Sequence, residues 1–317
     1  MIPAAEALAR FAADLDALVP LGERVGIAVS GGPDSLALLL LAAAARPGLV
    51  EAATVDHRLR ANSAHEAALV AGVCVGLGVP HHILVADWHG LPTANLQAEA
   101  RAMRYRLLGE WASGRSLAAI ATAHHADDQA ETLMMRLARG AGISGLSGAR
   151  QARPVFDNVE LVRPLLGWRH SELVGLVDSA EIEPVDDPSN HDPRHDRTRI
   201  RQWLAETDWI DPARLAVSAA ALREAEEALD WAFASLIEGR LVRDGAAIVI
   251  DPSNLPREMT RRLLLAAFDK LDAAPPRGPD LARAMAALTA GKTITLSGLR
   301  LEGGPRWRLS SAPPHRS

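Results

Sequence analysis

The sequence predicts an α/β protein built on a doubly wound parallel sheet, followed by a second, smaller, mainly helical α+β domain. Three observations carry this. Short β-branched apolar runs alternate with longer helical patterns through the first two-thirds of the 317 residues. The first run ends in a glycine pair that opens a helix. After about Gly140 the alternation stops. Repeated β–α units close into a sheet covered on both faces, with ligands at the carboxyl ends of the strands.

The elements follow in order. The N-terminal MIPAAEALARFAADLDALV carries Glu6, Asp14 and Asp16 within an apolar pattern and reads as an amphipathic helix, not a signal peptide. VGIAVS (25–30) is a buried strand and 35–45 a helix. VEAATVD (50–56) pairs with a helix over 61–77, HHILVA (81–86) with one over 96–111, and SLAAIATA (116–123) with one over 126–137. Beyond the glycine- and serine-rich GAGISGLSGAR come a short apolar segment (161–166), a helix near 170–180 and a polar loop over 183–196. From about Asp211 the chain is alanine-rich and helical, and GAAIVID and KTITLSGLRLEGG near the end read as short strands. The boundary is placed between Thr207 and Pro212, giving domains of 1–208 and 209–317.

Composition excludes several classes. Hydrophobic residues at 48% and charged residues at 23% rule out disorder. A formal charge of −5 argues against a protein that coats nucleic acid by bulk positive charge. The single cysteine, Cys74, permits no internal disulfide, four-thiolate zinc site or iron–sulfur cluster, and its apolar surroundings suggest a buried structural thiol. No apolar stretch is long enough to span a membrane, so a cytoplasmic protein is expected. The densest basic stretch is Arg194, Arg197, Arg199 and Arg201, beside His191 and His195. The seven tryptophans are scattered, form no evident stacking platform and are expected mostly in the core.

The most informative segment is Ser30-Gly31-Gly32-Pro33-Asp34-Ser35, between the first strand and its helix. The glycines let the backbone approach an anion, and the helix N-terminus offers unpaired N–H groups and a positive dipole end. Ser30 and Ser35 add hydroxyls, and Pro33 suits a first helical turn. Asp34 beside a polyphosphate is repulsive unless a magnesium ion intervenes, so the loop points to a triphosphate with a metal. Gly291-Lys292-Thr293 mimics the end of a Walker A loop, but the residue five before Gly291 is Ala286 and the terminal segment is expected to have no sheet around it.

SGGPDS at the end of a first strand resembles the N-type ATP pyrophosphatase superfamily. Further motifs narrow the resemblance: Val55-Asp56-His57-Arg58-Leu59-Arg60 with Ser63 and Glu66; Ala100-Arg101-Ala102-Met103-Arg104-Tyr105; Thr122-Ala123-His124-His125-Ala126-Asp127-Asp128-Gln129-Ala130-Glu131-Thr132; Arg139-Gly140; Val162-Arg163-Pro164-Leu165-Leu166; and Asp187-Pro188-Ser189-Asn190. In that order, over residues 25 to about 205, they resemble the tRNA(Ile)-lysidine synthase family. The chain departs from the family pattern after Asn190, where His195, Arg197 and Thr198 replace an aromatic-then-Arg-Asn run. Its C-terminal part also has room for one accessory domain rather than two.

The resemblance implies an adenine nucleotide alpha-hydrolase-like fold. It also implies that ATP adenylates the 2-carbonyl oxygen of the wobble cytidine in the CAU anticodon of tRNA(Ile), releasing pyrophosphate. The ε-amine of free L-lysine then displaces AMP. On this basis Ser30, Gly31, Gly32, Pro33, Asp34, Ser35, His57 and Arg58 are expected to bind the nucleotide, and Asp34 and Asp128 to hold magnesium. The N-cap role that Asp128 or Asp127 could play instead stays open. Attack needs lysine as a neutral amine, against a reference pKa of roughly 10.4. His124, His125, Asp128 and Glu131 are the candidates to bind the ammonium and take its proton. Arg104 could neutralise phosphate or pair on the surface with Glu99 or Glu110. Arg139, Arg194, Arg197, Arg199 and Arg201 are expected to contact the tRNA, as a basic strip shared with the second domain. A homodimer is left open. Three rivals weigh against this reading. A tRNA-thiolating enzyme of this fold needs paired cysteines or a cluster. A non-catalytic ATP-binding domain has no use for the histidine–acid run, and a simple RNA-binding module leaves Ser30–Ser35 unexplained.

Overall fold

The computed structural model describes residues 3–58, 63–88, 96–185 and 196–312. The chain divides into two compact units, 1–224 and 225–317. The division falls inside a single helix that begins at Pro212, later than the boundary read from composition, because helical periodicity continues unbroken through it.

The first unit opens with α1 (Ala5–Asp16) and then alternates β1 (Val25–Ala28), α2 (Pro33–Ala45), β2 (Val50–Asp56), α3 (Ser63–Leu77), β3 (His81–Val85), α4 (Leu96–Gly114), β4 (Ala119–Ala121) and α5 (Ala126–Ala138). A single turn, α6 (Ile143–Leu146), precedes the hairpin β5 (Ala152–Phe156) and β6 (Val159–Val162). Then come α7 (His170–Ser179), α8 (Asp196–Ala205) and the start of α9 (Pro212–Leu236). The sheet runs β3-β2-β1-β4-β6-β5. All neighbours are parallel except the edge strand β5, which is antiparallel to β6. Strand order reverses between β1 and β4, so the crevice at their carboxyl ends is where a ligand is expected in such a sheet. The sequence reading lacked β5, whose Pro154 weakens the strand signal and is tolerated only at an edge.

Helices cover both faces of the sheet. On one, Phe11, Leu15, Leu36, Leu39, Trp168, Leu173 and Val177 pack with Val25 and Ile27. On the other, Leu108, Trp111 and Ala112 of α4 pack with Ile120, Val159 and Leu161. Gly26 sets this second packing: a Cβ there would lie 2.6 Å from the Trp111 ring.

The second unit completes α9 and adds β7 (Leu241–Asp244), β8 (Ala247–Ile250), α10 (Arg257–Lys270), α11 (Gly278–Thr289), β9 (Thr293–Leu296), β10 (Leu299–Glu302) and β11 (Trp307–Ser311). Its strands form one antiparallel sheet, β7-β8-β11-β10-β9. Its core joins Ile248, Ile250, Leu301, Trp307 and Leu309 to Leu263, Phe268 and Leu288. Gly291-Lys292-Thr293 is the turn from α11 into β9, with Gly291 at φ +71 and the Lys292 N–H bonded to Ala287 O. It carries no phosphate-loop geometry.

Tryptophans depart from expectation. Trp111, Trp168 and Trp307 are buried, but Trp203, Trp209 and Trp231 are exposed, the last two by 83% and 76%. They sit on or beside the arginine-rich helix α8 and the alanine-rich helix α9, where hydrophobicity alone does not set the buried face.

Two outcomes are expected. Gly26→Ala forces α4 off the sheet and lowers stability by about 1–3 kcal/mol, read from urea unfolding. Cys74 is fully buried on α3, and burial pushes its thiol up to about 11. The native protein at pH 8 therefore reacts negligibly with a thiol reagent and takes up one equivalent once unfolded.

Candidate active site

The loop between β1 and α2 is shaped to leave amides open. Gly31 has φ +89, and a Cβ there would lie 2.8 Å from Val185, whose N–H donates to Gly31 O at 2.9 Å. Glycine is required both by conformation and by space. The Ser35 hydroxyl donates to Gly32 O (2.9 Å) and accepts from the Ser30 N–H (3.1 Å), closing the loop on itself. Pro33 occupies the first turn of α2, and no side chain caps that helix at Gly32. Its N-terminal N–H groups suit an anion.

Asp34, on the first turn of α2, faces the start of α5. His125 Nε2 lies 3.5 Å from Asp34 and 3.6 Å from Asp128, and His125 Nδ1 lies 3.5 Å from Asp127. Burial opposes charge on this imidazole, but Asp127, Asp34 and Asp128 outweigh it and raise the pKa to about 10. The ring is an imidazolium at neutral pH. His170 Nδ1 bonds Asp34 at 2.7 Å, and its ring stacks on His125 at 5.4 Å between centroids. Burial would raise the Asp34 carboxyl, but His125 and His170 hold it well below the usual carboxylate range.

The three acidic residues of the α5 segment divide their work. Asp127 accepts from the His170 N–H (2.8 Å) and from Arg169 Nη2 (3.2 Å), fixing the start of α7. Asp128 is held by two groups: one oxygen accepts from the His125 N–H (3.1 Å), a reciprocal cap on α5, and the other from Arg197 (2.7 Å). Glu131 is almost fully buried, with Arg197 Nε and Arg201 Nε each 2.6 Å from its carboxylate. Arg139 pairs with Asp196 at 2.8 Å.

These contacts revise several expectations. Arg197, Arg201 and Arg139 answer carboxylates of this same unit instead of standing free for a phosphate backbone. Arg199 is exposed, and Arg194 lies outside the described residues. Glu131 has both oxygens occupied and His125 already carries its proton, so neither is placed to take one. Asp34 is grouped with His125 and His170, not with Asp128. His170 went unnoticed because nothing local marks it; its position at the start of a helix just after Arg163-Pro164-Leu165-Leu166 was the only available signal.

Two cavities flank the Asp34–His125 pair. The first, about 260 Å³, has apolar walls from Ala28, Val29, Ala53, Val55 and Leu108, and polar groups from Ser30, Ser35, Arg104, His124 and Asp128. His124 Nδ1 bonds the Thr122 hydroxyl at 3.0 Å. Burial, helped by Arg163, Arg101 and Arg197 against the nearby Asp128, pushes His124 down to about 4, so it is neutral at pH 7. No carboxylate pairs with Arg104 among the described residues, and Glu110 is bonded to Arg106 instead. The second cavity, about 370 Å³, is lined by Asp34, His125, Arg169, His170 and Arg201, with Leu204, Ala205 and Pro212 on its apolar side. His57, at the end of β2, has both ring nitrogens buried without a hydrogen-bond partner, and Arg58 beside it is exposed at φ +52.

A PP-loop domain model matches residues 5–207. The tRNA(Ile)-lysidine synthase of Novosphingobium aromaticivorans is 49% identical over 315 residues, covering 98% of this chain and 95% of that protein. The chain belongs to the tRNA(Ile)-lysidine synthase family. A second member, from Zymomonas mobilis, is 42% identical over 301 residues, covering 94% of this chain and 91% of its own length. Among solved structures, the U34-tRNA thiolase NcsA from Methanococcus maripaludis shares the fold at a TM-score of 0.59 and 18% identity, over 71% of this chain and 78% of that one. That protein carries a 4Fe–4S cluster; the one buried cysteine of this lysidine synthase family member cannot hold one.

Glu131→Ala leaves Arg201 without its counter-ion and Arg197 with Asp128 alone. The expected loss is about 2 kcal/mol in chemical unfolding, below the roughly 3–5 kcal/mol of a fully buried pair because both guanidiniums are about half exposed. Gly31→Ala meets both the wrong φ and Val185, and is expected to abolish ATP binding measured by equilibrium dialysis.

Proposed function

We propose that this chain is a tRNA(Ile)-lysidine synthase, which uses ATP to adenylate the wobble cytidine of a CAU anticodon and then joins L-lysine to its 2-position, releasing AMP and pyrophosphate. The observation that carries the reading is the pairing of an open phosphate loop with a histidine–carboxylate group across one strand-order reversal. The apolar first cavity suits adenosine, and the 30–35 amides suit the phosphates attached to it. The second cavity sets Arg169 and Arg201 beside Asp34, Asp127 and Glu131, so its cationic groups are already paired with acids and the 30–35 amides are the open anion site.

Magnesium suits this site through Asp34 alone among the grouped residues. The ion prefers oxygen donors, and the two partners of Asp34 are histidines, one of them protonated. Asp34 together with ATP phosphates would hold it, where it would neutralise charge on the leaving group. Asp128 opens onto the first cavity, where a lysine ammonium would take the place of Arg197 on its carboxylate. Of the candidate bases His124 is the one left neutral. Burial is the main cause of that depression and Arg163, Arg101 and Arg197 add to it, so anionic substrates would relieve only the arginines' smaller part. Among the described residues no helix is long and apolar enough to cross a membrane, in keeping with a cytoplasmic tRNA-modifying enzyme.

The test is pyrophosphate release from ATP, with unmodified CAU tRNA(Ile) and labelled L-lysine supplied separately and together. Release that requires the tRNA, followed by transfer of label into it, supports the reading; a tRNA with uridine at the wobble position should accept none. ATP binding with neither release nor transfer would overturn the substrate assignment. His124→Asn is expected to lower the lysine-transfer step by roughly 10²–10⁴-fold while leaving ATP binding within a few-fold of the unaltered protein.

A further inference from the structure

Four arginines converge on Tyr105 at the rim of the first cavity. The Arg101 and Arg153 guanidinium carbons lie 5.0 and 4.8 Å from its ring centroid. Arg101, Arg104 and Tyr105 line the cavity itself. Arg163, almost fully buried beneath them, leaves its Nε without a hydrogen-bond partner. None of the four has a carboxylate partner among the described residues, and they act against one another. Burial and then the Arg153 and Arg101 charges hold Arg163 below its ordinary value, and burial and Arg101 do the same to Arg104. By contrast Arg139, Arg197 and Arg201 are each neutralised by an acidic side chain. Uncompensated positive charge in this unit's cleft therefore lies on the α4–β5 side, and not on Arg197 and Arg201 of α8.

Such a cluster awaits an anion. The phosphate loop follows β1, whereas Arg153 sits on β5, three strands away in the order β1-β4-β6-β5. At about 4.8 Å per strand that is roughly 14 Å, so Arg153 stands well apart from the phosphate loop, and Arg101 bridges from the cavity to it across Tyr105. Planar guanidiniums around an aromatic ring also offer faces on which unstacked bases can lie, the usual means of holding single-stranded RNA.

We propose that Arg101, Tyr105 and Arg153 seat the single-stranded RNA next to the target cytidine, its phosphates on the guanidiniums and a neighbouring base against their faces. The inference rests on the lysidine synthase reading. It replaces the α8 arginines, as first contacts of the anticodon strand, with residues of α4 and β5.

The test compares the full-length protein with the double variant Arg101→Gln/Arg153→Gln. Affinity for a CAU anticodon stem–loop RNA is measured across a salt series, and KM for ATP is measured with saturating tRNA. The variant is expected to weaken RNA binding at least tenfold and to reduce the slope of log affinity against log salt by about 1.4; because Arg101 lines the ATP cavity, KM for ATP is read from Arg153→Gln alone, where it stays within twofold. The companion Arg101→Lys/Arg153→Lys keeps the charge and should retain most of that salt slope; a loss as large as that of the glutamine variant would mean disturbed packing and overturn the proposal. Unchanged RNA affinity, or a loss confined to ATP, also overturns it while an active unaltered protein leaves the functional reading standing. An unaltered protein that neither binds nor lysylates the tRNA overturns both.

Discussion

Asp34, Asp127 and Asp128 come from two helices yet lie around one ring, because the protonated imidazole of His125 stands between them. Without a cation there, three carboxylates at the carboxyl edge of a low-dielectric sheet would repel one another and drive α2 and α5 apart. With it, Asp34 is fixed on the phosphate loop, Asp128 on the first cavity, and Asp127 on the start of α7. A second tier of the same kind lies behind: Arg197 and Arg201 satisfy Glu131 and Asp128 and tie α8 to α5. The site is thus an alternation of acids and bases in which nearly every charge already has an internal partner, apart from the groups that must meet substrate.

That arrangement explains how a chain with a formal charge of −5 can handle a polyanion. Positive charge need not be abundant if it is unpaired in one place. Pairing occupies Arg197 and Arg201 of α8, and the α4–β5 rim is a place where an incoming phosphate finds cations without that competition.

Much of the fold was legible because parallel strands buried on both faces read as short apolar runs, as VGIA and VEAATVD do. The phosphate loop was legible because its glycines, proline and serines each have a local reason to be there. What escaped the sequence depends on distance. Arg197 meets Glu131 across 66 residues and His170 meets Asp34 across 136, and nothing in a local pattern announces such partners. The edge strand β5 was hidden by its proline, and the helix α9 masked the unit boundary by running through it. Exposed Trp209 and Trp231 show the converse failure, a residue type that normally predicts a core but sits outside it.

Cys74 is the one thiol of the chain, sealed within the packing of α3 against the sheet. A cysteine introduced at any surface position would consequently be the sole accessible thiol, with no background to remove by prior mutagenesis. Fluorescent or spin labels could therefore be attached one at a time on either unit of the otherwise unaltered protein. The distance from either unit to bound, labelled RNA could then be followed through a catalytic cycle.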